Sequence, residues 1–249
     1  MTPRELSTAS LAARDAELVS LARNIIAKEG ISALNMDKLV AAAAYSKGTV
    51  YKHFTSKEDL VIAICNTCII EITTFFDRAA SFNGSSRERI VVIMLSYLIW
   101  VRSHQAELLA VLSSHSPAVI SRASTTRLEQ RDANEQALMT TVIQVIQNGI
   151  ADGDLALPTV MTPKQITFAL WSSGFGVLAL ISSKAELAPE HGLQLEREYF
   201  CNIELILDGL NWSPLSTHYD YQQTLQRAAQ SLFTQELQQL SAKGHPLIL

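Results

Sequence analysis

Residues 35–60 read NMDKLVAAAAYSKGTVYKHFTSKEDL, and this stretch gives the clearest indication of the fold. One helix face, with apolar side chains at i, i+3, i+4 and i+7, is formed by Met36, Leu39, Val40 and Ala43. Asn35 is a good N-cap for this helix, and Ser46 can cap a second short helix that runs through Phe54. The alanines at 41–44 let the two helices cross closely. The pattern therefore predicts a helix-turn-helix unit.

The second helix of this unit has one apolar side and one polar side. Val50 and Phe54, at i and i+4, form the side that we expect to be buried. The other side carries hydrogen-bond donors and one bare glycine, which suits close approach to a major groove of DNA. The residues predicted to contact DNA are Tyr45, Ser46, Lys47, Gly48, Thr49, Tyr51, Lys52 and His53, together with Lys57 at the start of the next helix.

The same stretch closely resembles the DNA-binding region of TetR-family transcriptional regulators. A small-residue turn is followed by Ser-x-Gly-Thr-aliphatic-Tyr-x-His-Phe at 46–54 and by Ser-Lys-Glu-x-Leu at 56–60. The preceding helix, which ends in Glu29-Gly30, also resembles the family pattern. Ala44-Tyr45 differs from the Gly-Val that is common in the family, and Tyr45 changes the edge of the recognition surface. The resemblance implies a one-component regulator, usually a repressor, with a helical C-terminal domain that diverges with its ligand.

Composition favours a helical protein whose N-terminal part alone is suited to nucleic acid. The 249 residues are 48% hydrophobic and include only 10 Gly and 7 Pro, so we expect long uninterrupted helices, among them one over about 118–148 and one in the tail. The formal net charge is −4. Residues 1–60 hold eight Lys and Arg against seven Asp and Glu, a net charge of +1. The net negative charge of the chain therefore comes from the remaining residues.

These observations predict an all-α protein of two domains. We expect a three-helix DNA-binding domain at 1–55, with its helix-turn-helix at about 35–54, and a connecting helix at 56–82. Residues 83–249 would form a helical regulatory and dimerisation domain with an extra C-terminal helix. A small, near-neutral DNA-binding domain should bind weakly alone, so a homodimer that presents two such domains to a palindromic double-stranded operator is expected.

The predicted dimer interface consists of helices at about 162–184 and 193–210. The first has small residues between aromatic ones, which allows close backbone approach. The second has a continuous apolar stripe made of Tyr199, Ile203, Ile206 and Leu210. Because helical spacing does not distinguish an interface from a core, the alternative is that both helices face the protein's own interior.

A small hydrophobic effector is the expected ligand of the second domain. The candidate ligand-binding residues lie on its most apolar helices or at their ends, and are Met94, Tyr97, Trp100, His104, Trp171 and Phe175. The alternative is that these side chains simply pack in the protein's own core, which helical spacing does not distinguish from a ligand site. Cys65-x-x-Cys68 lacks the context of a redox or zinc motif, so both thiols are interpreted as buried and structural.

No enzymatic activity, cofactor, metal site or membrane span is expected. The sequence shows no paired nucleophile and base, no phosphate loop and no His-Glu metal motif. The N-terminus has no apolar signal-peptide region, and the apolar run at 90–101 is too short to cross a bilayer, so a cytoplasmic location is expected. Two alternatives remain open: a helical small-molecule-binding module without DNA binding, and a small-molecule enzyme on the same bundle. Steeply salt-dependent DNA binding would favour the regulator over both.

Overall fold

A computed structural model describes residues 8–183 and 192–249, and within them the regular structure is helical throughout. A short 3-10 turn at Ile31–Ala33 follows the first helix. The helices of the first half are α1 (Thr8–Glu29), α2 (Met36–Ala42), α3 (Lys47–His53), α4 (Lys57–Ala80), α5 (Ser86–Ser103) and α6 (Gln105–Ser113). Those of the second half are α7 (Pro117–Ile120), α8 (Thr125–Ala151), α9 (Pro163–Ser183), α10 (Leu195–Gly209), α11 (Tyr221–Leu232) and α12 (Thr234–Ala242).

The chain divides into two compact units that do not follow the boundaries expected from the sequence. The first unit holds Met1–Glu71 and His104–Glu135, and the second holds Ile72–Ser103 and Gln136–Leu249. The first unit therefore contains α6, α7 and the start of α8 in addition to the helix-turn-helix, whereas a boundary near residue 55 was expected. Helices α4 and α8 each contribute one end to each unit.

The core of the first unit is built by helices α1 to α4. Its fully buried side chains include Leu18, Ala22, Ile26, Leu34, Leu39, Val50, Phe54 and Leu60. Gly30 ends α1 with a φ of 81°, a conformation that glycine adopts without strain, and its N–H donates to the carbonyl of Ile26 at 2.8 Å. The chain can therefore reverse toward α2 immediately after α1.

The long helix predicted over about 118–148 is interrupted at residues 121–124. The buried carboxylate of Asp59 accepts hydrogen bonds from the backbone N–H of Ser124 at 3.0 Å and from its hydroxyl at 2.7 Å. The hydroxyl of Ser56 donates to the carbonyl of Arg122 at 3.0 Å. These contacts with α4 hold the segment in a turn, so a short α7 precedes α8. Local sequence carries no breaker there, which is why the prediction was wrong.

In the second unit, α5 is the central helix. Its side chains from Ile90 to Val101 are buried on every face, as its uniformly apolar sequence predicts. Helix α10 packs along α9, and α11 and α12 both lie on α5. The tail was expected to form one helix, but Phe233 divides it into two, because its buried ring stacks on Phe75 at 6.0 Å and its backbone leaves the helical region.

Helix α4 is the one helix, within the residues described, that is long and apolar enough to span a membrane. In its most apolar window, 67% of the residues are buried inside the fold. The same composition is expected of a core helix, and α4 supplies buried residues to both units.

Candidate nucleic-acid interface

Helices α2 and α3 each begin at the N-cap expected from the sequence. The side chain of Asn35 accepts a 2.8 Å hydrogen bond from the N–H of Lys38, at the start of α2. The hydroxyl of Ser46 accepts from the N–H of Thr49 at 3.3 Å, at the start of α3. Each cap satisfies a backbone donor that a helix start leaves without a partner. Local sequence thus fixes where each helix of the helix-turn-helix begins.

Helix α3 buries one side and exposes the other. Val50 and Phe54 are fully buried, as expected. The predicted contact residues with exposed side chains or backbone are Ser46, Lys47, Gly48, Tyr51 and Lys52, and those that are partly buried are Tyr45, Thr49 and Lys57. A Cβ added at Gly48 would meet no atom within 4 Å, so the fold itself does not require glycine there. The glycine leaves the surface free of side chain at this point, where a ligand can approach the backbone.

Two of the three lysines on or beside α3 have partners within the first unit. The ammonium of Lys47 lies 3.2 Å from the carboxylate of Asp37, and both side chains are largely exposed. Lys57 donates to the carbonyl of Ile31 at 3.4 Å. In the described residues, no carboxylate lies within ion-pair distance of Lys52. Lys52 is therefore an exposed cation that can neutralise a phosphate without first breaking an ion pair.

Tyr45 is attached to helix α1 rather than projecting freely. Its hydroxyl donates a short hydrogen bond to the carboxylate of Glu17, and the guanidinium of Arg14 lies 4.7 Å from the centre of its ring. The hydrogen bond to Glu17 raises the pKa of Tyr45, because the carboxylate favours the protonated phenol.

His53 does not lie on the exposed face, which corrects its placement among the predicted DNA contacts. Its ring Nδ1 is hydrogen-bonded to the carboxylate of Asp15, and its side chain is only 8% exposed. The backbone carbonyl of His53 accepts a 3.1 Å hydrogen bond from Arg127. The ring therefore holds the end of α3 against α1. Helical spacing could not show this, because Asp15 lies 38 residues away in sequence.

Arg127 is a residue of this region that sequence reasoning missed. From the first turn of α8 it donates to Asp15 at 2.6 Å, and its guanidinium lies 4.5 Å from the ring centre of Phe54. Its Nε lies 3.6 Å from the carboxylate of Asp59. Arg127 thus joins helices α1, α3, α4 and α8 within the first unit. No local pattern in the sequence indicates this role.

Four of the six candidate effector residues come together in the second unit. Trp171 lies close to the hydroxyl of Tyr97 and stacks on Phe175 with ring centres 5.8 Å apart. Met94 approaches α9 at Gly174, where an added Cβ would lie 3.0 Å from the methionine methyl group. Burial raises the pKa of Tyr97 to about 12. These side chains form a packed cluster with one buried polar group.

The other two candidate effector residues are placed differently. Trp100 is fully buried within α5. His104 belongs to the first unit, where its backbone begins α6. The second unit also has a surface cleft of about 400 Å³, lined by Phe82, Asn83, Arg227, Gln230 and Ser231, and none of the six candidates lines it.

The stripe proposed for dimerisation on α10 partly faces the protein's own core. Tyr199 and Ile203 are fully buried, and the hydroxyl of Tyr199 donates to the carbonyl of Met94 at 2.9 Å. Among the side chains of the two helices that the structure describes, the large exposed apolar ones are instead Leu205 on α10, 66% exposed, and Phe168 and Trp171 on α9. The spacing identified the apolar face of α10 but not the element that it packs against.

Comparison with known proteins agrees with this architecture. Residues 18–64 match the N-terminal domain of bacterial regulatory proteins of the tetR family. A protein of unknown function from Rhodococcus sp. RHA1 superposes with a TM-score of 0.64 at 19% identity, over 85% of this chain and 100% of its own. PfmR, a TetR family transcriptional regulator from Thermus thermophilus, gives 0.55 at 17% identity, over 78% and 98%.

A third similar structure is SmeT, the repressor of the Stenotrophomonas maltophilia multidrug efflux pump SmeDEF. It superposes with a TM-score of 0.53 at 16% identity, over 78% of this chain and 89% of its own. SmeT has also been solved in complex with triclosan. At these identities the structures share a fold, and the match at 18–64 lies on the helix-turn-helix described above. By that match, residues 18–64 form an N-terminal domain of the tetR family type, and the all-helical fold is shared with these structures.

Proposed function

We propose that this protein is a ligand-responsive transcriptional repressor that binds a palindromic DNA operator as a homodimer. The observation that carries the proposal is the outward face of α3, where polar side chains surround a bare glycine and Lys52 has no carboxylate partner among the described residues. A face of this kind has no packing role in the first unit. It fits the major groove of DNA, where side chains donate hydrogen bonds to base edges and phosphates.

The proposed DNA contacts fall into two groups, according to their position on α3 and at the start of α4. Thr49 and Lys52 would face the bases and contribute to the choice of sequence. Tyr51 and Lys57 lie where the phosphate backbone would run, so they contribute affinity to any DNA. His53 acts indirectly, by holding the end of α3 through Asp15.

The homodimer is supported by the exposed apolar surface of α9 and α10. Phe168, Trp171 and Leu205 all project from this pair of packed helices, and their exposed area would be unfavourable on a monomer in water. Two copies of the pair would form a four-helix interface with two-fold symmetry. A dimer also raises affinity, because the second DNA-binding domain binds at a high effective concentration once the first has bound.

The effector that fits the second unit is a small apolar molecule with one hydrogen-bonding group. Met94, Tyr97, Trp171 and Phe175 supply an aromatic, apolar environment with one buried hydroxyl. SmeT, which has the same fold, binds triclosan. Such a ligand would change DNA binding only if it prefers one arrangement of the two DNA-binding domains over another.

The proposal is tested by selecting bound fragments from a pool of genomic DNA. We expect palindromic fragments to be enriched, and their affinity to fall steeply as salt rises. A reporter gene placed behind a selected fragment should be less active when the protein is present. A folded protein that enriches no fragment at low salt would contradict the proposal, and binding of apolar ligands by that same protein would favour a ligand-binding module instead.

A further inference from the structure

Two adjacent residues of helix α1 contact α3 and the turn that precedes α3. Asp15 binds the ring of His53 at the C-terminal end of α3. Arg14 lies against Tyr45, directly before the cap residue Ser46 at the N-terminal end. Because α1 is fixed at both ends of α3, the position of Arg14 relative to the recognition face is fixed as well.

The ring of Tyr45 is a platform for Arg14. The guanidinium carbon is 4.7 Å from the ring centre, within the range of a cation–π contact. The hydroxyl of Tyr45 is engaged by Glu17, which lies one helical turn beyond Arg14 on α1. A phenol held at its hydroxyl by a carboxylate is poorly placed to read a base edge. The role that the structure supports for Tyr45 is therefore to position a neighbour.

Arg14 keeps an available charge in this arrangement. Among the residues that the structure describes, no carboxylate lies within ion-pair distance of its guanidinium. A guanidinium that stacks on a ring by its face keeps N–H groups at its edge, and these match the oxygens of a phosphate. Lys52, on α3 itself, is a second described side chain of this region with an available charge.

We infer that Arg14 is a phosphate-binding residue of the nucleic-acid interface, with Tyr45 and Glu17 as its positioning residues. This inference rests on the proposed function, and it extends the interface from the helix-turn-helix to helix α1. It also changes the role of Tyr45 from a direct contact to a support. The DNA backbone next to the N-terminal end of α3 is the predicted partner of Arg14.

The test compares two variants that each remove one positive charge from the full-length protein. Arg14→Ala removes the proposed contact, and Lys243→Ala removes a charge at the C-terminal end of α12. Affinity for a selected fragment and for an unrelated duplex is measured over a range of salt. For Arg14→Ala we expect weaker binding to both DNAs, and the slope of log K against log salt should fall by about 2, one for each copy in a dimer. Lys243→Ala should keep the parental slope.

Two variants of Tyr45 test the positioning role. Tyr45→Phe keeps the ring but loses the bond to Glu17, and Tyr45→Leu removes the ring on which Arg14 rests. We expect the salt slope to stay close to the parental value for Tyr45→Phe and to approach that of Arg14→Ala for Tyr45→Leu. Circular dichroism and thermal unfolding should show all variants to be folded, because Arg14 and Tyr45 are only partly buried and Lys243 is exposed.

The possible outcomes separate this inference from the proposed function. If the parent binds DNA with a steep salt dependence and Arg14→Ala has the same slope as Lys243→Ala, the inference about Arg14 is wrong and the proposed function stands. If the folded parent binds no DNA, both the inference about Arg14 and the proposed function are wrong. A slope that falls only in Arg14→Ala and Tyr45→Leu supports the inference.

Discussion

Arg127 of α8 donates a 2.6 Å hydrogen bond to Asp15 of α1, across 112 residues of sequence. The same aspartate binds the ring of His53, and the same arginine lies over Phe54. Helix α1, helix α3 and the start of α8 are therefore joined through one pair of charges. This arrangement makes residues far from the helix-turn-helix part of the same folded unit.

Replacing Arg127 should destabilise the protein much more than replacing a nearby arginine. Arg127→Ala leaves two carboxylates without their cation, one of them on the buried Asp59, so we expect a loss of about 2–3 kcal/mol in the free energy of unfolding. Arg122 is 70% exposed and lies 3.5 Å from Glu58, so Arg122→Ala should cost less than about 0.5 kcal/mol. Urea denaturation measures both. Equal losses would show that the network around Asp15 contributes no stability.

Substitutions on α3 should separate affinity from sequence preference. Tyr51→Ala should weaken binding to all DNA to a similar degree, because we propose that its exposed ring contacts the phosphate backbone. Lys52→Ala should instead change which fragments are enriched from a random pool. His53→Ala should lower the free energy of unfolding without changing the enriched sequence, since its ring is turned toward Asp15. A shift in preferred sequence for His53→Ala, with none for Lys52→Ala, would contradict this assignment.

Two substitutions on α10 should have opposite consequences. Leu205→Glu places a charge on the exposed apolar face, so we expect a folded protein that sediments as a weakened dimer or a monomer and binds its operator much less tightly. Ile203→Glu places the charge in the core, where an unpaired carboxylate costs several kcal/mol, and should unfold the second unit. Analytical ultracentrifugation distinguishes them. A Leu205→Glu protein with parental dimerisation would exclude this face of α10 as the interface.

The thiols of α4 should resist modification in the folded protein. Burial raises the pKa of Cys65 to about 11 and raises that of Cys68 further, so both remain protonated and poorly nucleophilic at about pH 8. Cys201 on α10 is exposed. We expect a thiol reagent to label Cys201 alone until the protein is unfolded, and the Cys65→Ser, Cys68→Ser double variant to keep its DNA affinity with or without peroxide. Rapid labelling of Cys65 in the native state would contradict the structure.

The C-terminal tail should contribute pH-dependent stability through Glu88. Its carboxylate accepts hydrogen bonds from the N–H of Ser85 and from the hydroxyls of Tyr219 and Thr224, each at 2.8 Å, and pairs with Arg227. Burial alone would raise the pKa of Glu88, but these partners outweigh it and lower the pKa. The folded state thus favours the ionised form.

Because the pKa of Glu88 is lower in the folded than in the unfolded state, the resulting stability is present above about pH 4.5 and is lost as the pH falls further. Thermal unfolding from about pH 7 to about pH 3 should show this loss in the parent. Glu88→Gln should be less stable at neutral pH and should change less between the two pH values. A parallel pH dependence in both proteins would show that Glu88 contributes nothing to it.

Local sequence determined the helix-turn-helix almost completely. Asn35 and Ser46 cap their helices as predicted, and Val50 and Phe54 are buried as their spacing required. The polar face of α3 and its bare glycine could also be identified without a structure. All of these features depend on residues within one or two helical turns of each other, which is the range over which helical periodicity and capping operate.

Only the tertiary structure decided which apolar and charged faces meet. Ile203 and Leu205 lie two residues apart on α10, and the sequence marked the buried one as the interface, because periodicity identifies a face without identifying its partner. The ring of His53 is turned inward because Asp15, from a distant part of the chain, binds it, and Arg127 binds the same carboxylate. The sequence alone was enough for most of the helices and for the polar face of α3, whereas the supports of α3 are long-range hydrogen bonds between charged groups, which leave no periodic signal in the sequence.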